Sequence, residues 1–284
     1  MSDAGPSHRG SGALVVVATP IGNLEDLSPR AVRSLAEADL VVCEDTRRTR
    51  KLLSAAGVTA PPLLSANDHT EVACIATVLK RLGAGDRVAV VSDAGLPGIS
   101  DPGERLVRAA AADGLDVTVV PGPSAALTGL VVSGLPAGRF VFEGFLPRRG
   151  SGRAERLAAL AGEQRTVVLY EAPHRLARTL VDLAHALGAD RRVALCRELT
   201  KRHEETWRGT LAQAVDRSEE VEPRGEYVVV VEGAAPPSVA GDAELVAAVA
   251  QLVAEGTSTR DAVAEVAGVY AVPKRRVYDL AIRR

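Results

Sequence analysis

The feature that most constrains this chain is the repeated placing of a short, uninterrupted apolar run before a stretch of helical period. "ALVVVATP" (13–20), "ADLVVCED" (38–45), "DRVAVVSD" (86–93) and "LDVTVVPGPSA" (115–125) are rich in β-branched residues and carry no polar alternation. Such runs suit strands buried on both faces, the signature of a mainly parallel sheet sandwiched between helices. The intervening segments supply the helices. Ser28 reads as an N-cap with Pro29 at the first helical position and Ala31, Val32, Leu35 and Ala36 on one face. "TRRTRKLLSAAG", "EVACIATVLKRLGAG" and "GERLVRAAAADG" each end on a glycine stop.

A second alternating set follows: "RFVFEGFLP" (139–147), "RTVVLYEAPHR" (165–175), the amphipathic "LARTLVDLAHALG", "DRRVALCRELT" (190–200) and "GEYVVVVEG" (225–233). The expected organisation is therefore α/β with two tandem domains. Residues 1–11 form a disordered tail, 12–122 a first α/β domain, 123–233 a second, 234–242 a Pro-rich linker and 243–284 a small helical domain. In that last part, helices joined by "GVYAVP" resemble a helix-turn-helix.

At 284 residues the chain has room for two or three cores, and its formal charge of −2 advertises no global attraction to nucleic acid. Cys43, Cys74 and Cys196 are widely spaced without a CxxC, which argues for reduced, buried thiols rather than a disulfide framework or zinc site. His174 and His203 have no third ligand at metal spacing. No signal peptide begins the chain, and no run approaches the roughly 18 apolar residues of a membrane span. The expectation is a cytoplasmic protein without a membrane or metal.

The chemistry gathers at strand ends. "TPIGN", "EDTRRTR", "SDAGLPG", "PGPSA", "YEAPHR" and "CRELTKRHEE" each follow an apolar run. In open α/β sheets, ligands bind outside the carboxyl ends of the strands. The stretch "VSDAGLPGISDPG" (91–103) far exceeds the two to six residues or so that a plain connection needs. There Asp93 can accept hydrogen bonds from ribose hydroxyls or an ammonium, and Gly95 lets backbone approach a ligand. Ser124 offers polar groups at a helix start. Neither GxGxxG after the first strand nor GxxxxGK[ST] occurs, which weakens dinucleotide and nucleoside-triphosphate readings.

Arg47, Arg48, Arg50 and Lys51 stand beside Glu44 and Asp45, compatible with an internal ion-pair network or with a phosphate grip. Arg175, Arg197, Lys201 and Arg202 gather on the matching edge of the second domain. In the tail, Arg260, Lys274, Arg275, Arg276, Arg283 and Arg284 lie among Asp261, Glu265 and Asp279, so the tail reads either as an RNA contact or as a solvated helical cap. "ELTKRHEE" holds several proton acceptors, Glu198, His203, Glu204 and Glu205 among them.

Taken in order, "VATPIGNLEDLSPRA", "CEDTRRTRKLL", "VSDAGLPGISDPG", "PGPSAALTGLVVSGLP", "FEGFLPR", "YEAPHR", "CRELTKRHEE" and "RGEYVVVVEG" resemble the ribosomal-RNA-modifying branch of the tetrapyrrole methylase superfamily, across residues 13–233. "SDAGLPG" stands where the superfamily's tetrapyrrole enzymes more often carry a "GDPxxYG"-like loop, which argues against a corrin or porphyrin substrate.

The resemblance implies two α/β domains of the tetrapyrrole methylase type with an S-adenosylmethionine site in the cleft between them. It also implies a homodimer, and 2′-O-methylation of a cytidine ribose in the decoding region of 16S rRNA, within the 30S subunit. Carried over residue by residue, the cofactor loop falls on Asp93, Ala94, Gly95, Leu96 and Pro97, with Ser124 and Ala125. Pro20, Glu171, Ala172, Cys196, Gly225 and Glu226 join the same pocket. Glu198 and Lys201 are the candidates for assisting the hydroxyl, with Glu44 and Asp45 as rivals. Arg47, Arg48, Arg50, Lys51, Arg175, Arg197, Arg202, Lys274, Arg275 and Arg276 are the candidate RNA contacts.

Overall fold

A computed structural model describes residues 12–67, 70–236, 241–270 and 272–282. The expected tail over 1–11, the middle of the linker, Arg283 and Arg284 lie outside the described residues. The first sheet contains β1 (Ala13–Val17), β2 (Leu40–Cys43), β3 (Leu63–Ser65), β4 (Arg87–Val91) and β5 (Asp116–Val120), in the order β3-β2-β4-β1-β5. Every pair in it is parallel. Interleaved are α1 (Pro29–Ala36), α2 (Thr46–Ala55), α3 (Glu71–Gly83) and α4 (Glu104–Ala112).

Strand period two explains why uninterrupted apolar runs are needed. Val15, Val17, Val41, Cys43, Ala89 and Val91 point to one face, against Ala31 and Leu35 of α1 and Leu53 of α2. Leu14, Leu40, Val42, Val88 and Val90 point to the other, against Cys74, Val78 and Leu82 of α3 and Leu106 and Ala110 of α4. Each fully buried Leu contributes about 1.5–3 kcal/mol relative to exposure, and Leu14, Leu35, Leu53, Leu82 and Leu106 are all in that state. The α1 start is as expected, with the Ser28 hydroxyl accepting from Ala31 N–H at 3.1 Å.

The chain leaves β5 through α5 (Ala125–Ser133), whose Ala126 and Leu130 pack on the second sheet. That sheet contains β6 (Phe140–Phe145), β7 (Thr166–Glu171), β8 (Arg192–Arg197), β9 (Glu205–Thr210) and β10 (Tyr227–Val231), in the order β6-β7-β10-β8-β9. Only β6 and β7 pair parallel; β10 runs antiparallel to both neighbours, and β9 to β8. Helices α6 (Ser151–Ala161), α7 (Pro173–Leu187) and α8 (Leu211–Glu220) cover the face opposite α5. A capping box between Thr210 and Gln213 starts α8.

Residues from Ala235 onward make a separate unit. Its helices α9 (Asp242–Ala254), α10 (Thr259–Val269) and α11 (Lys274–Ile282) enclose a core of Leu245, Val249, Ala262, Val263, Val266 and Val277. Ser258 caps α10 by accepting from Asp261 N–H at 3.2 Å. Among the described residues, no helix is long and apolar enough to cross a membrane.

Candidate functional site

Parallel pairing brings the ends of β1, β4 and β5 to one rim of the first sheet. After β1 the chain pairs with the β4 loop: Thr19 N–H donates to Gly95 O at 2.8 Å, and Gly95 N–H to Thr19 O at 3.1 Å. The Thr19 hydroxyl adds a bond to Ser92 O at 3.2 Å. The second sheet contributes the ends of β7 and β8. Because β10 is antiparallel, it contributes its beginning, so Glu226 and Tyr227 reach the same place. Between the two rims lies a cavity of about 440 Å³.

Of the residues assigned from the sequence to a cofactor pocket, Ala94, Gly95, Leu96, Ser124, Ala125, Glu171, Ala172, Cys196 and Glu226 line this cavity, together with Glu198 and Lys201. Pro20, Asp93, Pro97 and Gly225 are not in its wall. Asp93 faces the neighbouring polar cleft of about 400 Å³, shared with Glu44, Asp45, Arg47, Arg48, Ser65 and Asn67. There its carboxylate accepts from Asp45 N–H at 3.2 Å and pairs with Arg48 at 3.2 Å.

The wall also holds residues that the sequence reading missed, including Ile21, Ile99, Ser100, Phe145, Tyr170 and Tyr227. The Tyr170 hydroxyl accepts from Ala126 N–H at 3.1 Å, at the first turn of α5. Burial pushes this phenol above its ordinary range, so it stays neutral.

At the second rim, the Lys201 ammonium donates to Glu198 Oε1 at 2.8 Å and to Glu226 Oε2 at 2.7 Å. Glu198 Oε1 also accepts from Glu226 N–H at 2.9 Å. Burial opposes ionisation of Glu198, but the Lys201 and Glu226 hydrogen bonds outweigh it and hold the carboxyl below its usual value. Burial likewise works against charge on Lys201, yet the hydrogen bonds to the two carboxylates raise its pKa. Lys201 is thus a fixed cation rather than a free base. Glu198 has φ +49° and Thr200 φ +64°, conformations costly for side chains that are not glycine. Gly225 permits this turn. It has φ +75°, and a Cβ there would sit 2.5 Å from Glu198 Cγ. Asn23 N–H donates to the Thr200 hydroxyl at 3.2 Å, tying the first rim to the second.

Cys196 is fully buried, and burial pushes its thiol up to about 11, so it offers no thiolate. The Glu171 carboxylate is turned into the protein: Ala172 N–H donates to it at 2.9 Å, the Thr179 hydroxyl at 2.5 Å, and Arg175 pairs with it at 3.1 Å. Arg153 extends this network to Thr179, Asp182 and Pro147 O.

Protein groups engage part of the expected RNA edge. Arg175 is largely buried, and besides Glu171 it holds Leu146 O at 2.6 Å. Arg197 donates to Arg224 O at 2.8 Å and pairs with Glu205 at 3.5 Å. Both guanidiniums therefore brace loops. Arg47 pairs with Asp45 at 3.3 Å, and Arg276 with Asp242 at 2.7 Å. Arg275 is 92% exposed beside Asp279, and Arg50, Lys51, Arg202 and Lys274 are exposed. Glu205, grouped in the sequence with loop acids, opens β9 and bonds Arg217.

Residues 13–215 match the family of Tetrapyrrole (Corrin/Porphyrin) Methylases. A relative from Synechocystis, "Ribosomal RNA small subunit methyltransferase I", is 44% identical over 95% of this chain and 98% of its own. Among solved structures, the methyltransferase CobJ superposes with a TM-score of 0.60 at 23% identity, covering 79% of this chain and 95% of that one. Uroporphyrin-III C-methyl transferase from Thermus thermophilus, complexed with S-adenyl homocysteine, gives 0.54 at 20% identity, covering 78% and 96%. At those identities the structures speak for the fold alone.

Proposed function

The chain belongs to the tetrapyrrole methylase family, among the ribosomal RNA small subunit methyltransferases, and from that premise we propose that it methylates the 2′-hydroxyl of a cytidine ribose in the decoding region of 16S rRNA. S-adenosylmethionine is the donor. The observation that carries the reading is the cavity of about 440 Å³ between the rims, within the range of roughly 300–1,000 Å³ typical of cofactor sites. Its wall suits an adenosyl group: apolar Ile21, Leu96, Tyr170 and Val228 can flank a flat ring, while Ser124 and the first turn of α5 supply polar backbone.

When bound, the cofactor supplies an electrophilic methyl group on a sulfonium. The protein's task is to align a ribose oxygen with that carbon, so that the O–C bond would form as the C–S bond breaks and the hydroxyl proton would pass to solvent, and proximity can lower the barrier by roughly 7–11 kcal/mol. Lys201, held by Glu198 and Glu226 through two of its three N–H groups, has the third to donate to the attacking oxygen, and Glu198 keeps it in position. Asp93 and Arg48 form the floor of the polar cleft beside the cavity, where the nucleotide's polar edge can lie.

The protein works as a homodimer on the 30S subunit in the cytoplasm. The dimer reading rests on exposed apolar side chains: edge strand β5 leaves Val117 and Val119 exposed, and α5 leaves Leu127 and Val131 exposed, the last at 74%. A helix apolar all round and an uncovered edge strand both call for a covering partner. The test is to incubate the purified chain and labelled S-adenosylmethionine with 30S subunits, naked 16S rRNA and a tetrapyrrole precursor, then map the label. Ribose label on the ribosomal RNA is expected; label on the macrocycle alone, or none, refutes the reading.

A further inference from the structure

The strand β6 carries an irregularity that the activity above does not use. In its pairing with β7, Phe142 opposes Val168, Gly144 opposes Leu169 and Phe145 opposes Tyr170, so Glu143 is an extra residue. This is a β-bulge, with Gly144 at φ +60°. Its consequence is a reversal of sides. Phe142 and Phe145 are three apart and would lie on opposite faces of a regular strand, yet both rings pack on Tyr170, at centroid distances of 5.0 and 5.6 Å. The bulge thus turns Phe145 into the cavity wall while leaving it 51% exposed. A half-exposed aromatic ring held edge-on by a second ring is a platform, not core.

Immediately beyond it come Arg148 and Arg149, both exposed. By chain length alone they lie within about 13 Å of Phe145. Neither guanidinium has a hydrogen bond or ion pair among the described residues, whereas Arg48, Arg175 and Arg197 are engaged by protein groups. We infer that the β6–α6 loop is the substrate grip: Phe145 stacks on a base at the mouth of the cavity, and Arg148 and Arg149 hold the phosphates of the same single-stranded RNA segment. Stacking on an aromatic side chain with a flanking cationic grip is how proteins take unpaired nucleotides. The inference rests on the reading that the substrate is ribosomal RNA.

The experiment compares wild type, F145A, F145W and the double variant R148A/R149A with 30S subunits at saturating S-adenosylmethionine. S-adenosylhomocysteine affinity is measured by calorimetry in parallel. F145A should raise KM at least about five-fold, and F145W should restore it. R148A/R149A should flatten the dependence of log(kcat/KM) on log salt by about 1.4, the value for two single-strand phosphate contacts. S-adenosylhomocysteine affinity should stay unchanged in R148A/R149A, and in F145A, whose ring also borders the cavity, it should fall by a smaller factor than kcat/KM does. Unchanged KM and salt slope overturn the inference, and so does an F145A variant that loses S-adenosylhomocysteine affinity as much as it loses kcat/KM. If wild type itself yields no methylated ribose, the activity reading falls. The loop is then judged by filter binding of the 16S rRNA, where the same variants must weaken binding by the same factors.

Discussion

Glu71 offers a test of how the long loop after β4 is held. It is 3% exposed, and its Oε1 accepts from three backbone N–H groups: Gly103 at 2.9 Å, Arg105 at 3.1 Å and Leu106 at 3.3 Å. Helix α4 begins after Gly103, which has no side chain to cap it, so a carboxylate from α3 takes over the role that a Ser or Asp would otherwise fill. Glu71→Ala leaves those buried donors without an acceptor. A hydrogen bond to a charged group contributes about 1.5–3 kcal/mol, and breaking a buried charged contact costs about 3–5 kcal/mol, so a loss of about 3–5 kcal/mol is expected. At about 2–4 °C per kcal/mol for a unit of this size, Tm should fall by about 6–20 °C. Glu71→Gln keeps one carbonyl oxygen as acceptor and should lose only about 1–2 kcal/mol. Urea unfolding followed by circular dichroism reads both, as a lower midpoint at unchanged slope. Because the capped turn ends the loop that forms one cavity wall, Glu71→Ala should also weaken S-adenosylhomocysteine binding under conditions where it remains folded. A loss below about 1 kcal/mol for Glu71→Ala would refute the reasoning; so would a Gln variant as unstable as the Ala variant.

Cys196 makes a prediction with a definite sign. Its folded pKa is raised from 9.0 to about 11 by burial. The unfolded chain therefore releases this proton first, and the contribution is intact below pH 9 and lost as pH rises towards 11. Between pH 8 and pH 10.5 wild type should lose about 2 kcal/mol more than Cys196→Val, measured by urea midpoints at those two values; parallel midpoints would reject this. For the dimer face, Val131→Asp puts a charge on a side chain already 74% exposed, so the monomer fold should survive. Sedimentation should show loss of the dimer, and a variant that still dimerises would rule this face out.

The first sheet was legible because all-parallel pairing requires continuous apolar runs, and "ALVVV", "LVVC" and "RVAVV" supply them; the edge strand "DVTVV", expected to be buried on both faces, is instead exposed at all but Val120. Strand β3 was not: at three residues, none fully buried, "LLS" has too little pattern to separate from loop. Helix α5 was legible only at its start, Ser124, since apolar residues on every side leave no period to read along it. The motif loops were legible by composition, and nine of the thirteen residues assigned to the cofactor pocket line the cavity. Phe145 was not, because a one-residue bulge inverts the side on which every later residue of a strand falls. The partners of Arg175 and Arg197 were not legible for a different reason. Charge in sequence does not reveal that Glu171 and Leu146 O wait inside the fold for Arg175, or that Arg224 O meets Arg197 at the surface.

The order of the second sheet has a consequence for how the chain is made. Its central strand, β10, is the last to be synthesised, and it pairs along its whole length with both β7 and β8. Until it arrives, β6 with β7 and β8 with β9 exist as two ribbons whose inner edges are open templates for wrong partners. At translation rates of about 5–20 residues per second, the wait after β9 is on the order of 1–4 s. The donor pocket is incomplete during that interval, because Glu226, Tyr227 and Val228 form part of its wall. A nascent chain is therefore committed to inactivity until its keystone strand slots into the gap.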